Sequence, residues 1–199
     1  MRYDAHHKAR TRARVLAEAS AEILSQGCER VGLATVMARA GLTHGGFYAH
    51  FRSKDALVAE AIGHMFDHRY AVHFAPLMRE HPATALTRFV DFYVSMAHRD
   101  NVEHGCPIPV LSGDVARLSP AARDRFASGV DRVIAWVADR LDALGQDHPH
   151  DLAASVMAEA VGAISLARAQ TDPDRAERIL NGAHRSLTAR LGLDGAAAA

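Results

Sequence analysis

Apolar residues recur at three- and four-residue spacing along most of the chain, and no stretch alternates in the manner of a strand. That periodicity predicts an all-α protein. Residues 4–26 read as one long amphipathic helix with Leu16, Ala19, Ile23 and Leu24 on its buried side, and Gly27 stops it. Two short helices follow in Leu33 to Phe51, LATVMARAGLTHGGFYAHF. Val36, Met37 and Ala40 give the first its apolar stripe, and Gly41 supplies the positive φ that ends it. Thr43 is placed to cap the second, whose Phe47 and Phe51 lie at i and i+4 on one face. Ser53 is a cap for a fourth helix through Leu57, Val58, Ala61, Ile62, Met65 and Phe66 to about His73. Beyond it every segment is punctuated by proline. Pro82 opens a helix through Leu86, Phe89, Val90, Tyr93, Val94 and Met96. Asp100 to Pro109 reads as a loop, and Val110 to Arg117 as a short helix. Ser119-Pro120 pairs a capping side chain with proline at the first helical position. The helix it starts carries Phe126, Val130, Val133, Ile134, Val137, Leu141 and Leu144 up to Gly145. Pro149 to Thr171 and a last helix opened by Asp172-Pro173 complete the chain, with a GAAAA tail expected to be disordered.

The two short helices around Gly41 form a helix-turn-helix pattern. With Phe47 and Phe51 buried, the second helix is left presenting Thr43, His44, Gly45, Tyr48 and His50. That face has hydrogen-bonding groups, an aromatic hydroxyl, and a glycine where a backbone can come close to a ligand. It suits a major groove. Lys54 stands beside it within reach of a phosphate. The first helix carries Lys8, Arg10, Arg12 and Arg14 near its positive end, an unfavourable arrangement that a nearby phosphate would relieve.

Charge distribution sharpens this picture more than total charge does. The chain of 199 residues is neutral overall, yet residues 1–54 hold nine Lys/Arg against four Asp/Glu, and residues 55–199 hold fourteen against nineteen. A front with net charge +5 on a rear with −5 fits a phosphate-binding module attached to a body that does not bind DNA. Spread basic charge, as in an architectural DNA-binding protein, is not the pattern. Two cysteines, Cys28 and Cys106, make no disulfide framework or CxxC motif, and Cys28 reads as a small buried apolar residue. The polar, basic N-terminus has no signal-peptide character, and no apolar run spans a membrane, so a cytoplasmic location is expected. No GxSxG, HExxH or glycine-rich phosphate loop suggests an enzyme, and no cofactor motif is found. Thirteen histidines raise the question of a metal. His64 and His68 share a helix face at i, i+4 but lack a third ligand at a suitable spacing, and His148 and His150 flank Pro149 in a loop.

The basic first helix followed by ATVMARAGLTHGGFYAHFRSKDAL resembles the tetracycline-repressor (TetR) family of transcriptional regulators. The run Gly-Gly-Phe-Tyr-x-His-Phe followed by Ser-Lys is more specific than a bare helix-turn-helix. The resemblance covers roughly the first 60 residues. It implies an all-α homodimer of about nine helices per chain, paired through the last two helices. It implies a three-helix DNA module in residues 1–54 and an effector-binding and dimerisation domain in 55–199. It further implies a repressor that a small-molecule effector releases from double-stranded DNA. Thr43, His44, Gly45, Tyr48, His50 and Lys54 fall on positions that commonly touch DNA in that family. Where the family usually has Ser or Thr, this chain has Leu33, so Gly32 is expected to serve as cap and Thr35 to supply the phosphate contact. A two-fold dimer requires a palindromic operator. For the effector pocket the candidates are Met65, Phe66, Phe92, Tyr93, Met96, Cys106 and Trp136, each of which also reads as ordinary core. Cys106, in a Gly-Cys-Pro loop beside His104, carries the alternative of a thiol- or electrophile-sensing repressor, weighed against a buried inert thiol.

Overall fold

The computed structural model describes residues 2–193, with side chains from residue 6 onward. Every regular element among the described residues is helical. Helix α1 (Arg2–Gln26) buries Val15, Leu16, Ala19, Ile23 and Leu24 and ends at Gly27, whose φ is 85°. Helix α2 (Leu33–Arg39) ends before Gly41, at φ 70°. The second helix of the motif, the recognition helix (His44–Ala49), is wound as a 3₁₀ helix. Thr43 precedes it, but its hydroxyl makes no cap; the Thr43 carbonyl instead accepts from Gly46 N–H at 3.0 Å. In so tight a turn the backbone carbonyl occupies the place the side chain was expected to take.

Helix α3 (Lys54–Arg69) starts as the sequence predicts, with Ser53 Oγ accepting from Ala56 N–H at 3.1 Å. It packs on α1 and reaches into the body without a linker. Its end differs from the expectation. The chain continues through Tyr70–Phe74 as a π-helical turn, closed by Ala75 N–H donating to Tyr70 C=O at 2.9 Å. Such single wide turns inside helices are frequent at functional sites.

A 3₁₀ turn (Pro76–Arg79) leads to α4 (Pro82–Tyr93) and α5 (Met96–Asp100). Met96 is therefore not on the Pro82 helix: Ser95 Oγ accepts from His98 N–H at 3.1 Å and starts a new helix. The expected 100–109 loop is shorter, because Pro107 opens α6 (Pro107–Leu111). The single 110–117 helix is instead the end of α6 and a 3₁₀ turn (Val115–Arg117), separated by Ser112 to Asp114. Helices α7 (Pro120–Ala143), α8 (Pro149–Arg168) and α9 (Pro173–Leu191) match the predicted periods, and Ser119 and Asp172 cap as expected. The tail of alanines lies outside the described residues.

The core is continuous from the front to the body. Phe47 and Phe51 stack at 5.7 Å beneath the recognition helix, and both are buried. Leu57, Ile62 and Phe66 carry the core along α3 to α7, where it joins Val133, Trp136, Val137 and Leu141. Gly129 of α7 lies directly against the Phe66 ring, and a Cβ there would overlap it. Cys28 is buried, and desolvation pushes its thiol up to about 11, in keeping with an inert apolar role.

Candidate nucleic-acid interface and internal cavity

Burying Phe47 and Phe51 fixes which side of the recognition helix faces outward. Thr43, His44 and Gly45 are exposed, and Tyr48 is 70% exposed although it is aromatic. A Cβ at Gly45 would meet nothing within 4 Å, so its backbone is open to approach. Thr35 is exposed in the first turns of α2, after Gly32, which gives α2 no side-chain cap. Two candidates sit differently from the rest. His50 is half-buried, and burial with the nearby Lys8 and Arg12 charges holds its pKa below the ordinary range. Lys54 is half-buried too, with Nζ donating to the Glu29 carbonyl at 2.8 Å. On α1, Lys8, Arg10 and Arg14 are exposed, whereas Arg12 pairs with Glu60 and lies 4.8 Å over the Phe51 ring. Arg12 thus ties α1 to α3 rather than standing free.

Behind this front, a cavity of about 240 Å³ opens between the end of α3, the π turn, α4, α6 and α7. Of the seven sequence candidates, Phe66, Phe92, Tyr93 and Cys106 line it. Met65 points the other way, into a polar groove between α1 and α3 that also takes in His64, His68 and His104. Met96 packs against the core from α5. Trp136 lies behind the wall, edge-on to Phe74 at 5.0 Å and 5.7 Å from Phe89, so it supports the lining without belonging to it. Sequence reasoning missed Arg69, Tyr70, His73, Phe74, Phe89 and Pro107. Part of that set was detectable: Phe66, Arg69, Tyr70 and His73 follow i, i+3, i+4, i+7 and form one helical stripe.

His98, Tyr93 and Cys106 at the cavity have defined partners. His98, 1% exposed, brings Nδ1 to 2.7 Å from the Tyr93 carbonyl and accepts at Nε2 from Cys106 N–H at 3.1 Å. Those partners fix the neutral ring with its proton on Nδ1. Burial, opposed by the Tyr93 hydrogen bond, lowers its pKa to about 4. Tyr93 O–H donates to Cys106 Sγ at 3.4 Å. Desolvation raises the Cys106 thiol pKa, the reverse of the lowering that a reactive thiolate needs. His104, the expected activator, lies at the α1–α3 groove. Arg69 directs Nη1 toward His73 Nε2 at 3.4 Å, while its buried Nε has no partner. His73 stacks on Phe92 with ring centres 4.3 Å apart.

Comparison with known proteins agrees with this layout. Residues 15–61 match the family model of bacterial regulatory proteins of the tetR family. Residues 82–180 match the C-terminal domain of LmrA/YxaF-like transcriptional regulators. No curated protein matches the chain. Solved structures similar to it include Escherichia coli NemR in reduced form, 22% identical, with a TM-score of 0.78 over 90% of this chain and 96% of that one. A TetR regulator from Legionella pneumophila is 20% identical, with a TM-score of 0.76 over 89% and 95%. One from Chloroflexus aurantiacus is 24% identical, with a TM-score of 0.73 over 94% and 96%. At these identities the structures speak for the fold. A front that presents a helix-turn-helix, a helical body, and two family models in the matching order lead to one conclusion: the chain belongs to the TetR family of transcriptional regulators.

Proposed function

We propose that this regulator is a repressor that binds a palindromic operator as a homodimer and is released when a small molecule occupies the cavity lined by α3, α4 and α7. The observation that carries this reading is the continuity of α3. Its Ser53-capped start follows directly on Phe51 of the DNA module, and its last turns wall the cavity. A ligand that fits only one arrangement of those walls shifts the module by its differential affinity for the two states. The proposed boundary falls within this helix, with residues 1–54 as the DNA module and 55–199 as the effector and dimer domain.

Thr35, Thr43, Tyr48, Lys54 and the exposed bases of α1 would position the protein on phosphates. His44, Thr43 and the open backbone at Gly45 would read base edges, with His50 at the margin of that face. Few long side chains are available for direct readout, so DNA shape and bridging water supply part of the specificity. For the dimer, α8 and α9 offer a face on which Leu166 is 59% exposed. Nothing lies within 4 Å of a Cβ at Gly162 or Gly182. Mid-helix glycines cost about 1 kcal/mol each relative to alanine. A second copy approaching closely at those points gives them a reason. Two recognition helices about 34–36 Å apart then meet successive major grooves. Such a regulator works in the cytoplasm, where its operator is.

The test is selection of bound duplexes from random DNA, followed by fluorescence anisotropy. An inverted repeat bound with nanomolar affinity, by two copies, is the expected result; equal binding to scrambled duplexes overturns the reading. The thiol-sensing alternative requires a thiolate that the desolvated Cys106 does not favour. Under the ligand reading, Cys106→Ser keeps operator binding and its release.

A further inference from the structure

The cavity lined by Phe66, Phe74, Phe89 and Phe92 is apolar, but its charge is one-sided. Among the described residues three arginines border it, Arg69, Arg88 and Arg132, and no carboxylate does. Two of the three are neutralised at the rim. Arg88 pairs with Glu80, and Arg132 Nη1 pairs with Asp67 at 2.8 Å. Arg69 has no acidic partner among the described residues; its polar neighbour is His73, a base, and its Nε is buried without a hydrogen bond. A guanidinium stays charged in any protein setting, and Arg69, half-buried with its Nε out of contact with water, carries that charge without a counter-ion among the described residues. The same side chain borders the polar groove next to α1, so it stands between the cavity and the DNA module.

We propose that Arg69 is the anchor of an anion-binding subsite and that the effector is a small aromatic carboxylate, its carboxylate paired with Arg69 and its ring held among the phenylalanines of the cavity. The proposal rests on the reading of this cavity as the effector site. The planar fork of arginine takes up carboxylate or phosphate in two parallel hydrogen bonds, and an otherwise apolar cavity favours the singly charged carboxylate, which costs less to desolvate. Volume limits the rest of the molecule. An apolar cavity of about 150 Å³ holds benzene. The 240 Å³ here leaves space for a short substituent and a carboxylate, not for a multi-ring compound. The aromatic walls favour a ring over a flexible chain by offset and edge-on stacking.

The experiment pairs benzoate, phenylacetate and 3-phenylpropanoate with their neutral amides, and measures binding to the full chain by calorimetry and thermal shift. At least one acid is expected to bind tenfold or more tightly than its amide. Arg69→Gln brings the affinity for the acid down to that for its amide, and Arg69→Lys retains part of the preference. Arg69→Met, which deletes the uncompensated charge, keeps or raises the melting temperature of the ligand-free protein. No acid preference in any pair, or a preference that survives Arg69→Gln, overturns the proposal. Anisotropy with the selected operator separates it from the reading beneath it. Acids that bind through Arg69 yet leave the operator complex intact sustain the subsite and sink the effector role. Release of the operator by neutral ligands alone does the opposite.

Discussion

At its N-terminal end α3 meets the recognition helix, and at its C-terminal end it meets the cavity. The two ends are built differently. The first is assembled by neighbours in sequence: a serine cap, a stacked Phe47–Phe51 pair, a glycine turn. Its functional atoms point outward and are mostly unpaired. The second is assembled by segments apart in sequence, since Arg69, Phe92 and Val133 reach it from three helices and Cys106 from the loop before α6. Its functional atoms point inward, and of the three arginines that border it Arg69 alone has no carboxylate partner among the described residues. In the proposed mechanism the front would meet a large rigid polyanion with groups already exposed, while the rear would register whether one small molecule is present.

Four perturbations test that contrast, in falling order of effect on stability. Acid should damage the rear first. The native ring of His98 stays neutral down to about 4, whereas in the unfolded chain it takes a proton below 6.5. The contribution is therefore complete above pH 6.5 and lost as pH falls toward 4, about 3 kcal/mol in all. Melting curves across that range should show it, and His98→Gln should flatten the profile. Next, Gly129→Ala forces the Phe66 ring out of place. Overpacking of this kind costs about 1–3 kcal/mol. Ligand affinity should fall with it, while operator affinity measured well below the melting point should hold. A loss of DNA binding as large as the loss of ligand binding would erase the distinction between the ends.

Ser53→Ala removes the cap at the junction and should cost about 1 kcal/mol by denaturant unfolding. Last, Tyr48→Phe with Lys54→Ala should change stability by no more than about 0.5 kcal/mol. The same pair weakens operator binding and reduces the slope of log affinity against log salt by roughly one for each phosphate that is no longer neutralised. An unchanged salt slope would show that neither side chain meets the backbone of the duplex.

How much of this could be read from sequence follows the same division. Ser53, Ser119-Pro120 and Asp172-Pro173 announce their helices because capping is a local interaction. The Phe47–Phe51 pair is local as well. Thr43 misled because a 3₁₀ turn satisfies the same donors with backbone, a choice that side-chain identity does not reveal. Met65 and Trp136 stand out by size and apolarity, which mark core as readily as cavity. Arg69 does not stand out, because its meaning lies in what is missing around it: two nearby arginines have carboxylates and it does not. That absence is a fact of three-dimensional neighbours, so no local pattern carries it.

The absence of any hinge between Ser53 and Arg69 has a mechanical corollary. Sixteen helical residues make a rod, roughly 24 Å long at 1.5 Å per residue. Tipping such a lever by about 5° moves its tip by about 2 Å. In a symmetric pair the two tips travel oppositely, so their separation changes by about 4 Å, more than the 3.4 Å rise between stacked bases. Under the proposed dimeric mechanism, a displacement at the cavity smaller than one bond length, made close to the pivot, would put both reading heads out of step with the duplex.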